Sequence, residues 1–306
     1  MSTGTVTEGQ MEWETHTTWY QVVGTLDPGS ELAPVVLAHG GPGASHDYIE
    51  PIAELSRSGR ACILYDQVGC GRSQHLPNAP ADFWTVELFK RELVELTRHL
   101  GIDGRYHVLG QSWGGMLAME HALEHPAGLL SISVCDSPAS MELWVSEANL
   151  LRDQLPPEVQ ATLLQHEEAG TTADAAYQEA VEVFYHRHLC RVEWPDGLKR
   201  SFAAIDADPT VYHTMNGPSE FHCIGTLRTW DITDRLHEID VPTLLVSGVF
   251  DEATPRIVGE IHERIPNSKW VLLEQSSHTP HIEEPEAFLA AVEEFLAEVE
   301  AASAAA

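Results

Sequence analysis

The chain has 306 residues, 47 Asp and Glu against 17 Lys and Arg, and a formal net charge of −30. That length holds a large core in one generous domain or in a domain carrying an insertion. So acidic a surface repels a phosphate backbone, which argues against nucleic acid as a partner and disfavours an anionic membrane; most of the carboxylates read as solvated surface charge.

In chain order, residues 1–10 hold no basic segment followed by an apolar run, and no stretch reaches the length of a membrane span, so a cytoplasmic protein is expected. Residues 13–23 carry the Thr, Trp, Tyr and Val mix of strands and residues 24–29 signal a turn, so the chain is predicted to open with antiparallel strands. Val35-Val36-Leu37-Ala38 is a short buried strand running into the loop His39-Gly40-Gly41-Pro42-Gly43. Residues 61–65 form another, followed by Asp66-Gln67-Val68-Gly69-Cys70-Gly71-Arg72-Ser73. Phe89, Leu93, Leu96 and Leu100 recur at helical spacing, and Gly101 closes that helix.

Residues 130–135 read as a further buried strand, after which strand signals vanish for about a hundred residues. This middle stretch is predicted to be helical or irregular. Tyr177, Val181, Phe184 and His188 mark one of its helices, and prolines at 156, 157, 195, 209 and 218 break it into pieces. Alternation resumes with an apolar strand at 243–247, a helix at 255–264, an extended run at 269–274 and a last helix from Pro285. The Ala-rich residues 301–306 are expected to fray. Strands alternating with helices on both flanks imply a mostly parallel sheet covered on both faces. The predicted fold is an α/β-hydrolase core in two parts, residues 1–136 and 239–306, with a helical cap inserted at 137–238. The five cysteines, at 62, 70, 135, 190 and 223, lack metal-ligand spacing and read mostly as small buried hydrophobes. No disulfide framework, metal or cofactor is predicted, and the sequence leaves the oligomeric state open.

Gly110-Gln111-Ser112-Trp113-Gly114-Gly115 lies between the apolar run His107-Val108-Leu109 and a helix-like stretch from Met116. A G-x-S-x-G turn between strand and helix holds its serine strained, with the hydroxyl exposed at the strand end. Ser112 is therefore the candidate nucleophile. A serine hydroxyl needs a base and a group that orients the base, and in this fold they follow in the order acid, then histidine. Catalytic groups collect beyond the carboxyl ends of the strands. Asp251 follows the run 244–250, whereas Asp240 precedes that strand and Asp231 and Asp234 belong to the cap or its return. His278 follows the run 270–273 and is the candidate base, with His281 as runner-up. His39 precedes the serine and reads as support for its loop. The oxyanion donors are expected from the amides of Trp113 and Gly41.

These motifs, with Met215-Asn216-Gly217-Pro218-Ser219-Glu220-Phe221 and Asp251-Glu252-Ala253-Thr254-Pro255, resemble those of the proline iminopeptidases and related aminopeptidases of the α/β-hydrolase fold. The resemblance spans nearly the whole chain. It implies removal of an N-terminal residue, often proline, from short peptides or small amides, and implies that Glu220 and Glu252 hold the substrate's free amine. Two carboxylates facing a protonated amine recognise a terminus that internal peptide bonds lack. Val68 stands where the family commonly has arginine, and Trp113 where tyrosine is frequent, so the indole is expected to reshape the first subsite. The family also includes amino-acid amidases and enzymes that clip an aminoacyl group from small biosynthetic products. A carboxylesterase with the same triad and a non-catalytic binder on this fold are the readings from outside the peptidases.

Overall fold

The computed structural model describes residues 5–305; residues 1–4, part of the segment read for a leader, and residue 306, the end of the tail, lie outside it. β1 (Val6–Trp13) and β2 (His16–Val23) form an antiparallel hairpin. β3 (Val35–Ala38) and β4 (Cys62–Tyr65) are followed by α1 (Val86–His99), whose N-cap Thr85 accepts the Leu88 amide at 3.2 Å. Then come β5 (Tyr106–Gln111), α2 (Trp113–Ala122) and β6 (Leu129–Cys135).

Five helices stand before the next strand: α3 (Met141–Arg152), α4 (Pro157–Ala169), α5 (Ala175–His188), α6 (Asp196–Ala207) and α7 (Thr210–Met215). The chain closes with β7 (Thr243–Gly248), α8 (Pro255–Arg264), β8 (Ser268–Leu273), α9 (Pro280–Glu283) and α10 (Pro285–Ala305). The eight strands make one sheet in the order β1-β2-β4-β3-β5-β6-β7-β8, parallel from β4 onward.

Strand periodicity divides the core in two. Val36, Ala38, Ile63, Tyr65, Val108 and Leu245 face one apolar cluster, while Val35, Leu37, Cys62, Leu64, Leu109, Leu244 and Val246 face the other. Alternate residues thus point to opposite faces, and both faces are buried, which is why the central strands read as unbroken apolar runs.

Two expectations are corrected. The opening strand begins at Val6 rather than Trp13, because β1 is an edge strand whose first three residues are exposed and carry little apolar signal. The tail, expected to fray, continues α10 through Ala305. Alanine has the highest helix propensity, and Glu300 ties the helix down through Arg60. Among the described residues no helix is long and apolar enough to cross a membrane, and all five cysteines are free thiols.

Candidate active site

The site forms where β3, β5, β6, β7 and β8 end. Ser112 stands between β5 and α2 with φ 56° and ψ −124°, a left-handed backbone that costs on the order of 1–3 kcal/mol and persists only where its surroundings enforce it. The Ser112 amide donates to Cys135 O at 2.8 Å, and Ser137 Oγ donates to Ser112 O at 2.7 Å. The turn tolerates no side chain at its flanks. A Cβ on Gly110 would lie 1.9 Å from Gly114 O, and one on Gly114 would lie 2.0 Å from Ala38 O.

Asp251, just past β7, accepts from His278 Nδ1 at 2.7 Å through its Oδ1. His278, just past β8, borders the same cavity as Ser112. Burial alone would lower the His278 pKa; the Asp251 charge and hydrogen bond, followed by the Glu220 charge, outweigh it and hold the imidazole above its ordinary value. The loop presenting His278 is held from α9 and the segment after it. Glu283 accepts from the Ser277 amide at 2.7 Å, and Glu284 accepts from the Gln275 amide at 2.9 Å. The helical block reaches the same loops: the His188 carbonyl accepts the amides of Glu252 at 3.3 Å and His278 at 3.2 Å.

The cavity beside Ser112 has two chambers. Gly41, Ser112, Trp113, Trp144, Asn216 and Glu220 border one. The other has an apolar wall of Ala44, Leu189, Leu198, Phe202 and Ile205. Gly41 and Glu220 border both. Trp113 opens α2, where the first helical amides have no intrahelical acceptor. Its indole donates to Gln67 Oε1 at 2.8 Å and packs edge-on against Phe89. The ring is therefore anchored to the loop that follows β4, and Trp113 also borders one of the two chambers. Val68 is buried in the core, its amide donating to Glu92.

Glu252 is fully buried, and neither of its carboxylate oxygens has a hydrogen-bond partner. Its Oε1 lies 3.7 Å from His278 Nε2. Glu220 accepts the Tyr212 hydroxyl at 2.6 Å. Burial pushes both carboxyls above the usual range, and for Glu252 the charges of Glu220 and Asp251 add to the effect. Carboxylates so placed call for a cation.

The structure thus brings Ser112, His278, Gly41, Trp113 and Glu220 to the walls of these chambers, with Asp251 and Glu252 buried behind them against His278. It leaves the runners-up elsewhere. His281 bonds Tyr48 O at 3.0 Å, and burial holds it neutral with its pKa lowered to about 4. Asp240 lies before β7, near the exposed His125. His39 Nε2 accepts the Gln67 amide at 3.0 Å, in keeping with a supporting role. Sequence reading did not single out Tyr48, which accepts the Gly40 amide at 2.7 Å and donates to Gln111 Oε1, nor Gln111, whose amide donates to His278 O at 2.7 Å. It also passed over Asp136, although the strand-end rule that selects Asp251 fits that residue as well.

The family model for the α/β hydrolase fold matches residues 33–285. A proline iminopeptidase of Clostridium botulinum is 36% identical over 292 residues, covering 95% of this chain and 98% of its own. One from Saccharolobus solfataricus is 38% identical over 266 residues, covering 87% and 85%. Among solved structures, VinJ is 48% identical with a TM-score of 0.93, covering 96% of this chain and 99% of its own. Proline iminopeptidase of Mycobacterium smegmatis is 46% identical with a TM-score of 0.90, covering 97% and 100%.

Proposed function

Because the chain belongs to the α/β-hydrolase-fold family, in the group that includes the proline iminopeptidases, we propose that it is a serine aminopeptidase cleaving the amide bond after a free-amine N-terminal residue, proline or a small apolar one. Ser112 Oγ attacks the carbonyl while His278 Nε2 takes its proton. Asp251 occupies Nδ1, which fixes the tautomer and stabilises the imidazolium. The amides of Trp113 and Gly41 hold the oxyanion. His278 then protonates the leaving amine, and water, activated by the same imidazole, releases the acyl group and regenerates Ser112.

The observation that carries this reading is a pair of carboxylates near His278: Glu252, fully buried 3.7 Å from its Nε2, and the half-buried Glu220, whose charge helps hold the imidazole up. A substrate ammonium supplies the missing cation, and each charge-assisted bond is worth roughly 1.5–3 kcal/mol. Residues 137–238 act as the cap that brings Glu220 over the core, and the substrate is a short peptide or an aminoacyl amide.

The apolar chamber favours a second reading of the leaving group. None of the residues lining it is Lys or Arg, so no cation there reads the carboxylate of a peptide remnant. An amide or an aminoacylated small molecule fits that wall as well as a peptide does.

Hydrolysis of aminoacyl p-nitroanilides with free and acetylated amines, by the wild type and by Glu220→Gln and Glu252→Gln, tests the proposal. Turnover of the free-amine compounds alone, with kcat/KM lower by on the order of 10²-fold in the variants, is expected. Equal cleavage of the acetylated compounds leaves a general serine hydrolase with no amine requirement. Folded protein that a fluorophosphonate leaves unlabelled at Ser112 makes it a binder. Comparing aminoacyl amides with dipeptides decides the leaving group.

A further inference from the structure

The turn after β6 carries a carboxyl that the proposed mechanism does not use. Asp136 follows Cys135 directly, has φ 55° and is fully buried. Its amide donates to Val246 O at 2.9 Å, which fixes it beside the end of β7, the strand that leads to Asp251. The two carboxyls are within hydrogen-bonding reach of each other. Yet neither oxygen of Asp136 receives a donor, and Asp251 Oδ2 receives none either. Asp251 Oδ1 is fully engaged, by His278 Nδ1 at 2.7 Å and by the Ala253 amide at 2.8 Å.

Ionised carboxylates only accept, so two of them cannot bond each other. One proton turns the pair into a donor and an acceptor and satisfies oxygens that are otherwise buried without partners. The surroundings decide which carboxyl carries it. Asp251 has an imidazole and a backbone amide to stabilise its charge. The titratable groups facing Asp136 are Asp251 past β7, Glu283 in α9, Tyr48 in the turn after the glycine-rich loop and Cys135 on its own strand. None is a cation. Burial first, then the Asp251 charge, hold the Asp136 carboxyl well above the usual range; the nearby Gln111 side-chain amide opposes them only weakly, since its Nε2 donates to His278 O at 2.7 Å and makes no hydrogen bond to Asp136.

We infer that Asp136 is a positioning residue for the triad, standing in the folded protein as the neutral acid and donating its O–H to Asp251 Oδ2. The inference rests on the reading of Asp251 and His278 as orienting acid and base. With that donor in place, Asp251 has a partner on each oxygen, its carboxylate plane is fixed against the imidazole, and part of its charge is drawn away from His278.

The test compares pH profiles of kcat/KM for a free-amine p-nitroanilide in the wild type, Asp136→Leu and Asp136→Asn. Thermal melts establish folding. Leucine removes the donor, so the acid limb is expected to move up by roughly half a pH unit, as the undiluted Asp251 charge makes His278 more basic. Asparagine keeps an N–H donor without a charge and is expected to rescue the limb. Should both variants move the limb down, Asp136 is an anion in the wild type and the inference is overturned. A change in melting temperature with no movement of the limb also overturns it, leaving a packing role. If the leucine variant does not fold, an infrared difference spectrum of wild type minus Asp136→Asn decides: a protonated-carboxyl band is expected, and its absence refutes the neutral acid. Asp251→Asn is the separate control. A loss of at least on the order of 10²-fold upholds the triad, whereas no loss removes the premise whatever Asp136 does.

Discussion

Tyr212 donates its hydroxyl to Glu220 Oε1 at 2.6 Å, and both residues lie in the helical block between β6 and β7. The bond aims a half-buried carboxylate whose partner in the proposed amine site, the fully buried Glu252, has no donor at all. Tyr212→Phe is expected to raise KM for a free-amine p-nitroanilide about 10-fold, the worth of one hydrogen bond to a charged group, with a smaller effect on kcat. Steady-state kinetics check this. An unchanged KM would mean that the tyrosine only packs.

The acid limb of kcat/KM is expected above pH 6.5, the ordinary histidine value, because His278 must be neutral to take the serine proton and its pKa in the fold is raised. The raised carboxyls of Glu220 and Glu252 act in the same direction, since they must be ionised to hold an ammonium. As the Glu220 charge helps keep His278 high, Glu220→Gln should move the limb down. Initial rates from pH 5 to 9 on both proteins measure the shift, and a limb that stays put would separate Glu220 from the base electrostatically.

Glu92 lies buried in α1, accepting the Thr18 hydroxyl and the Val68 amide, and burial pushes its pKa up to about 8. The folded state therefore keeps a proton that the unfolded chain releases near pH 4.5. The stability this contributes is full below pH 4.5 and is lost as pH rises through about 8. Melting temperature should fall across that window in the wild type and fall less in Glu92→Gln, which mimics the protonated form. Parallel melting curves for the two proteins would contradict the assignment.

Glu300 docks the C-terminal helix. It takes two bonds from Arg60 at 2.8 Å and the Ala33 amide at 2.6 Å. Burial alone would raise its pKa, but Arg60, His107 and the amide hold it well below the usual carboxylate range. The stability from this group is present above its unfolded value and lost as pH falls through the folded one. Glu300→Ala leaves Arg60 buried without its partner and is expected to cost about 3 kcal/mol at pH 7, less in acid. Chemical denaturation at pH 7 and pH 4 checks both the size and the trend.

Much of the site is written locally. The elbow around Ser112 is legible because a tight strand-to-helix turn needs Gly110 and Gly114 within a few residues of the serine. Asp251 is legible because it follows an apolar run that a strand buried on both faces requires, and His278 because it follows the apolar run of the edge strand β8. The middle helices announce themselves through the loss of strand signal, and Glu252 by its place beside Asp251. In each case the physical cause acts over fewer than about ten residues, and so leaves a mark in the order of residue types.

The remaining features depend on which strand lies beside which, and only the tertiary structure decides that. Asp136 meets Asp251 because β6 and β7 are neighbours. His188 reaches the amides of Glu252 and His278 because the helical block folds back over the ends of β7 and β8. Whether a glutamate in so acidic a chain is a solvated charge or a buried one awaiting a cation is set by the dielectric around it. For Glu220 and Glu252 that environment is made by Tyr212, Trp144, His278 and one another, residues up to 134 positions apart in the chain, between Trp144 and His278. Composition records how many carboxylates there are; packing determines which of them cannot stay ionised alone.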